Sequence, residues 1–226
     1  MQDDTPTPDA DAGGPDAEAL ERGRLLFAKP CVFVAGAARI GDLPDATLPE
    51  IAFAGRSNVG KSSLINALTG QNALARISRT PGRTQQLNFF RLDDAVTLVD
   101  LPGYGYARAS KRQIADWTGL MHAYLKGRVT LHRLCVLVDS RHGLKPSDEA
   151  LMDELDDDAV SYQVVLTKAD KPNSAEVAGT RAAVAQALTR RPAAHPDILV
   201  TSARNGGGIP ELRAALAALA GSVRLG

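Results

Sequence analysis

Only two cysteines occur in the 226 residues, Cys31 and Cys135, both inside apolar runs. That excludes a disulfide-stapled fold, and each reads as a small reduced core residue in keeping with a cytoplasmic setting. The four histidines, His122, His132, His142 and His195, lack ligand spacing, so no zinc-type site is expected. Aromatic residues make up 4% with a single tryptophan. Trp117, Met121, Tyr124 and Leu125 fall at helical spacings and read as a packing face rather than a cofactor box. No apolar run approaches the ~20 residues of a membrane helix, so no membrane partner is expected. Bases are missing from residues 1–21, which carry seven acids among Pro, Ala and Gly. Such a stretch is no secretory leader and buries too little apolar surface to order itself. Residues 1–20 are therefore expected to be a disordered acidic tail before one domain over 21–226. The zero net charge hides this asymmetry: the rest of the chain holds 26 bases against 19 acids, and a basic body attracts polyanions.

What is present alternates. Short apolar or β-rich runs at 31–35, 50–54, 86–92, 95–99, 131–138, 162–166 and 197–201 predict strands. Amphipathic stretches at 61–69, 111–126, 147–157, 174–190 and 209–220 predict helices, with Asn173 and Glu176 as a capping pair for the fourth. The close pair 86–92 and 95–99, joined by Asp93-Asp94, predicts a hairpin and one antiparallel edge. The fold class expected is α/β, with a mostly parallel sheet of six or seven strands and helices on both faces. Leu212, Leu216 and Leu219 read as core contacts of the last helix. Heptads and large apolar stripes are absent, so a monomer is expected.

In such sheets ligands sit beyond the carboxyl ends of the strands, and the informative motifs all fall there. Residues 55–62, GRSNVGKS, form a complete Gly-x-x-x-x-Gly-Lys-Ser loop between a strand and a helix. The backbone of Gly55, Arg56, Ser57, Asn58, Val59 and Gly60 can curl its N–H groups around phosphate oxygens, and the helix start adds its positive end. Lys61 can reach β- and γ-phosphates, and the Ser62 hydroxyl is placed to coordinate Mg²⁺. This is the mark of a P-loop NTPase. Asp100-Leu101-Pro102-Gly103 follows the next strand; its Asp can hold the Mg²⁺ hydration shell and its Gly N–H can sense a γ-phosphate. Thr167-Lys168-Ala169-Asp170 follows a later strand. Asp170 offers two oxygens to the paired N1–H and N2–H₂ donors of guanine, the Lys168 stem can lie along the base, and Thr167 can tie this loop to the P-loop. Thr201 ends the last strand and Ser202-Ala203 follow it, where a backbone N–H can meet guanine O6. The bound nucleotide expected is GTP or GDP. Between these motifs lies SRTPGRTQQ (78–86), where Thr80 and Thr84 both qualify by chemistry as the threonine that closes on Mg²⁺.

Together these elements resemble the translation-factor-like GTPases. GRSNVGKSS, TPGRTQQLNFF, DLPGYGYA, VDSRHGLKPSD and TKAD are similar in detail to the EngB (YsxC/YihA) family, within the TrmE-Era-EngA-EngB-septin-like superfamily, over about residues 27–220. The resemblance implies a G domain, GTP hydrolysis, a role in assembling the large ribosomal subunit and a requirement for normal division and septation. It also implies that Thr84, beside Ser62, is the Mg²⁺ ligand, and that Gly82, Arg83, Thr84, Gln85 and Gln86 contact nucleotide.

Tyr104 stands where many GTPases carry the glutamine that orients attacking water, so hydrolysis is expected to be slow unless something else stabilises charge. One source is K⁺: Asn58 resembles the P-loop asparagine that binds K⁺ in related GTPases, which would make Asn58 catalytic beside Lys61, Thr84 and Gly103; alternatively Asn58 only shapes the loop. A second source is a ribosomal partner. Residues 76–133 hold ten bases (Arg76, Arg79, Arg83, Arg91, Arg108, Lys111, Arg112, Lys126, Arg128 and Arg133) against four acids, with Tyr104 and Tyr106 interleaved. That composition suits a face for the large subunit or its precursor rRNA, and equally an ordinary solvated surface. Two functional readings follow: an enzyme, or a nucleotide-gated ribosome-binding module in which hydrolysis serves release. No residue directly supports a third, a division scaffold.

Overall fold

The computed structural model describes residues 14–71, 74, 86–104 and 111–220, with 111–117 as backbone alone. Seven strands form one sheet: β1 (Cys31–Ala37), β2 (Glu50–Gly55), β3 (Leu87–Leu92), β4 (Val96–Asp100), β5 (Leu131–Asp139), β6 (Tyr162–Thr167) and β7 (Leu199–Val200). Their order is β1-β3-β4-β2-β5-β6-β7. From β4 through β7 neighbours run parallel, whereas β1, β3 and β4 are antiparallel. The expected hairpin is there, turning at Asp93 with a left-handed φ of +50°.

Helices α1 (Ala17–Phe27), α2 (Lys61–Thr69), α3 (Lys111–Gly127), α4 (Pro146–Asp157), α5 (Ser174–Leu188) and α6 (Ile209–Ala220) cover both faces. Alternation along β2 shows how. Ile51 and Phe53 join Phe27, Leu64, Leu68, Leu212 and Leu216 on the face covered by α1, α2 and α6. Ala52 and Ala54 join Met121, Tyr124, Met152, Leu155 and Val184 under α3, α4 and α5. With both faces covered, β2 and β6 are buried throughout, which is why they read as continuous apolar runs. The Asn173–Glu176 capping box forms with both bonds at 2.9 Å. Cys31 and Cys135 are free and buried, and burial pushes their thiols up to about 11 and about 12.

Two expectations change. The last strand shrinks from 197–201 to two residues. The tail boundary at residue 20 falls inside α1, which starts at Ala17 and is capped by Asp16, whose Oδ1 accepts the Ala19 N–H at 2.7 Å. α1 orders because it has a partner: Gly23 lies so close to α6 that a Cβ there would come 2.6 Å from the Ala214 nitrogen. Among the described residues no helix is long and apolar enough to cross a membrane.

Candidate nucleotide site

β2 ends at Gly55, and the chain folds straight back over it. A Cβ at Gly55 would lie 2.8 Å from Val59 Cγ1 and 3.1 Å from Leu137 Cβ, so only glycine permits this return. Ser57 N–H donates to Tyr104 O at 3.0 Å and Val59 N–H to Arg56 O at 3.1 Å. Asn58 (φ +63°) and Gly60 (φ +107°) take left-handed conformations that reverse the loop into α2. Asn58 is a residue that tolerates this region, which gives it a structural reason to be here. Lys61 opens α2 and pairs its ammonium with Asp100 Oδ1, almost wholly out of solvent. Ser62 sits beside it in the first turn, half-buried.

Asp100 ends β4 opposite Phe53 of β2, so sheet register sets it against the P-loop. Leu101 N–H donates to Phe53 O at 3.0 Å, Leu101 and Pro102 are buried, and Gly103 follows at the mouth of the site. Gly82, Arg83, Thr84 and Gln85, together with Thr80, lie outside the described residues. Gln86 is turned elsewhere than expected. Its Nε2 donates to Asn88 Oδ1 at 3.0 Å and its amide packs over Gly36 of β1, with β3 and β4 lying between β1 and β2.

The loop after β6 is tied to the P-loop by side chains. Thr167 Oγ1 donates to Val59 O at 2.7 Å. Lys168 adopts a left-handed φ of +59°, its stem passes over Gly60, and its Nζ donates to Asn58 O at 2.5 Å. Ala169 N–H donates to Thr201 O at 3.1 Å, and Thr201 Oγ1 bonds Leu166 O at 2.9 Å, joining this loop to the one after β7. Asp170 Oδ1 accepts the Ser202 hydroxyl at 2.7 Å, a bond that lowers its carboxyl below the ordinary value. Asp170 Oδ2 is buried and makes no hydrogen bond, with Lys171 Nζ 3.8 Å and Arg204 Nη1 3.9 Å away as its ion-pair neighbours. Ser202 serves differently from expectation. Its N–H is taken by Gly207 O at 2.8 Å and its hydroxyl bonds Asp170, so of the two residues expected to offer a backbone N–H here Ser202 already has its own engaged.

Sequence reasoning missed Asp139. It ends β5 beside Thr167 and accepts Lys168 Nζ at 2.8 Å, with Arg141 bonded through Nε at 2.9 Å and Nη2 at 2.7 Å. Burial pushes its carboxyl upward, but the Arg141 and Lys168 hydrogen bonds outweigh this and hold it well below the carboxylate range. An acid closing a strand of otherwise apolar character was the available signal. The basic face also needs correction. Arg128 is half-buried in a bidentate pair with the buried Glu50, Arg133 is half-buried and bonds Gln163 Oε1 at 3.2 Å, and Tyr104 is an interior residue. Arg91 and Lys126 stay exposed. Arg76, Arg79, Arg83, Tyr106, Arg108 and the side chains of Lys111 and Arg112 lie outside the description.

A phosphate loop, an Asp and Gly at the end of a neighbouring strand, and a carboxylate-bearing loop hydrogen-bonded to the phosphate loop define the nucleotide-binding domain of a P-loop GTPase. A family model described as 50S ribosome-binding GTPase matches residues 50–168. A probable GTP-binding protein EngB from Rhodospirillum rubrum is 57% identical over 209 residues, 90% of each chain. Another from Nitrobacter hamburgensis is 57% identical over 210 residues, 92% of this chain and 97% of that one. A solved structure of a probable GTP-binding protein engB superposes with a TM-score of 0.62, at 23% identity over 76% of this chain and 98% of that one, a likeness of fold. The chain belongs to the EngB family of GTP-binding proteins.

Proposed function

We propose that this protein binds and hydrolyses GTP and that its nucleotide state gates docking on the large ribosomal subunit or its precursor rRNA during assembly. The observation that carries the guanine reading is Asp170 Oδ2, buried and without a hydrogen bond although Lys171 and Arg204 stand 3.8 and 3.9 Å away, on a loop bonded to the P-loop through Thr167 and Lys168. A carboxylate so placed takes two donors from one edge of guanine; adenine presents no such pair. The P-loop N–H groups, the α2 N-terminus and Lys61 meet the phosphates. Ser62, with Asp100 behind it and Thr84 from the segment expected to close on the site, offers the hard oxygen donors Mg²⁺ prefers. Bound there, Mg²⁺ would neutralise charge on the β- and γ-phosphate oxygens. Gly103 directs an N–H toward the γ-phosphate, so the chain senses whether that group is present.

Titration with GTP and ATP tests the base reading. Asp170→Asn is expected to weaken GTP about a hundredfold, through two lost charge-assisted bonds. The same change should improve binding of xanthosine triphosphate, whose 2-carbonyl accepts from an amide. Equal affinity for ATP and GTP overturns the proposal. Turnover in KCl against NaCl separates a K⁺ role of Asn58 from loop shaping, since equal rates exclude the cation. The ribosomal half of the proposal rests on family membership. Pelleting with large subunits in GDP, GTP and a non-hydrolysable analogue tests it: GTP-dependent binding supports gating, and indifference to nucleotide refutes it. If the analogue binds and remains bound while GTP is released after turnover, hydrolysis serves release. A part in division is expected to follow from ribosome assembly, because no described residue suggests a separate scaffold surface.

A further inference from the structure

Tyr104 follows Gly103 directly, yet its side chain turns into the protein. The ring is 7% exposed, and its hydroxyl donates to Asp148 Oδ1 at 2.8 Å. Asp148 lies in the first turn of α4 and is itself 1% exposed; its second oxygen accepts the Lys145 N–H at 2.9 Å. Burial raises this carboxyl above its ordinary value against the lowering effect of those two bonds. Burial, then the Asp148 charge, push the Tyr104 hydroxyl far above its ordinary range, so it remains a donor. The positive charge of Arg56, in the P-loop, acts on both partners, and its Nε is buried without a hydrogen bond. A buried polar pair thus ties the residue after Gly103 to the first turn of α4, with the Arg56 charge of the P-loop acting on both members.

The backbone shows what this pair holds. Tyr104 N–H donates to Gly55 O at 3.3 Å, and Tyr104 O accepts Ser57 N–H at 3.0 Å. On the other side of Gly103, Leu101 N–H is bonded to Phe53 O at 3.0 Å. Gly103 is therefore suspended between two attachments to β2 and its loop, and the second is fixed by the buried Tyr104 side chain. Packing within the chain does not itself demand glycine here: a Cβ would meet Gly55 O and Ser57 at 3.5 Å, ordinary contact.

We propose that Tyr104 and Asp148 are a positioning pair for the γ-phosphate sensor: the bond to α4 fixes the backbone at 104 and so the direction of the Gly103 N–H. The inference rests on the GTP-binding reading above and adds to it how one of its donors is aimed. A hydrogen bond weakens steeply when its donor swings off line, so a loosened residue 104 degrades the Gly103 contact without removing it. GDP has no γ-phosphate and makes no such contact. The pair must therefore act on GTP and spare GDP, which distinguishes it from a pair that only stabilises the fold.

Tyr104→Phe keeps the ring and removes the hydroxyl. GTP affinity is expected to fall about tenfold while GDP affinity stays within about twofold, the scale of one hydrogen bond to a charged group. In an Asp148→Asn background the same change should have a smaller effect on GTP, because the partner is already altered. An unchanged ratio of GTP to GDP affinity overturns the inference. So does parallel loss of both nucleotides, which marks a purely structural bond. Wild-type protein that binds neither nucleotide refutes the GTP-binding reading itself, and the inference with it.

Discussion

Asp139 binds two cations through one carboxylate. It receives Lys168 and Arg141 at once and thereby holds the Lys168 stem over Gly60 and its ammonium on the Asn58 carbonyl. Because its folded carboxyl titrates below the ordinary value of 3.8, the sign of its contribution is fixed: full stability above about pH 4, lost as pH falls through the folded value. Its partners Arg141 and Lys168 remain 41% and 26% exposed, so screening keeps the effect small. Asp139→Asn should flatten the acid limb of a stability–pH profile below pH 4. It should also weaken GTP and GDP equally, since both share the base and the P-loop. An acid limb unchanged in the variant would show that the Lys168 and Arg141 bonds do not bear on stability. The role was illegible beforehand because it depends on Lys168 arriving from another strand. The P-loop and TKAD, whose chemistry is local in sequence, were legible residue by residue.

Three helices each contain an internal glycine, and the fold gives them opposite meanings. Gly119 in α3 and Gly179 in α5 face open space, where an added Cβ meets nothing within 4 Å. Alanine there should stabilise by roughly 0.5–1 kcal/mol, since helical alanine loses less backbone entropy. Gly23 in α1 is the reverse: its Cβ would press 2.6–2.9 Å from the α6 backbone. Gly23→Ala should destabilise by about 1–3 kcal/mol, because backbone cannot yield as a side-chain tip can. Chemical denaturation of the three variants tests the contrast, and a common sign would refute the α1–α6 packing. That packing also explains why α1 escaped the sequence reading. Its anchors, Gly23 and Phe27, acquire their role from Arg213 and Ala214 near the other end of the chain, with the Arg213 guanidinium 5.8 Å over the Phe27 ring. Strand runs such as 50–54 and 162–166 needed no such knowledge, because a strand buried on both faces is apolar whatever covers it.

Across the molecule, the two ends of the parallel strands divide the labour. Gly55, Asp100, Asp139, Thr167 and Thr201 lie at carboxyl ends, where the phosphate and base loops meet. At the opposite end of β2, Glu50 is buried and takes Arg128 Nη2 at 2.6 Å, Arg128 Nε at 2.9 Å and the Tyr124 hydroxyl at 2.8 Å. Arg128 Nη2 also donates to Pro44 O at 2.8 Å, and its guanidinium stacks 5.8 Å over Phe89. This cluster fastens the end of α3, the β1–β2 connection and the central strand at one point, far from any phosphate ligand. Arg128→Met strips the cation and leaves the Glu50 carboxylate buried with only a phenol, a loss of about 3 kcal/mol or roughly 10 °C in Tm. Adding Glu50→Gln removes the stranded charge and should return part of that loss. GDP affinity measured well below either melting point should match wild type, because the pin and the nucleotide loops share no residue. The same pair of variants tests the corrected basic face. Arg128, 10% exposed and with its guanidinium held by Glu50 and Pro44 O, has little surface to offer a polyanion. Folded Arg128→Met protein should therefore pellet with large ribosomal subunits as wild type does. A selective loss of pelleting with unchanged GDP binding would return Arg128 to the ribosome-facing surface.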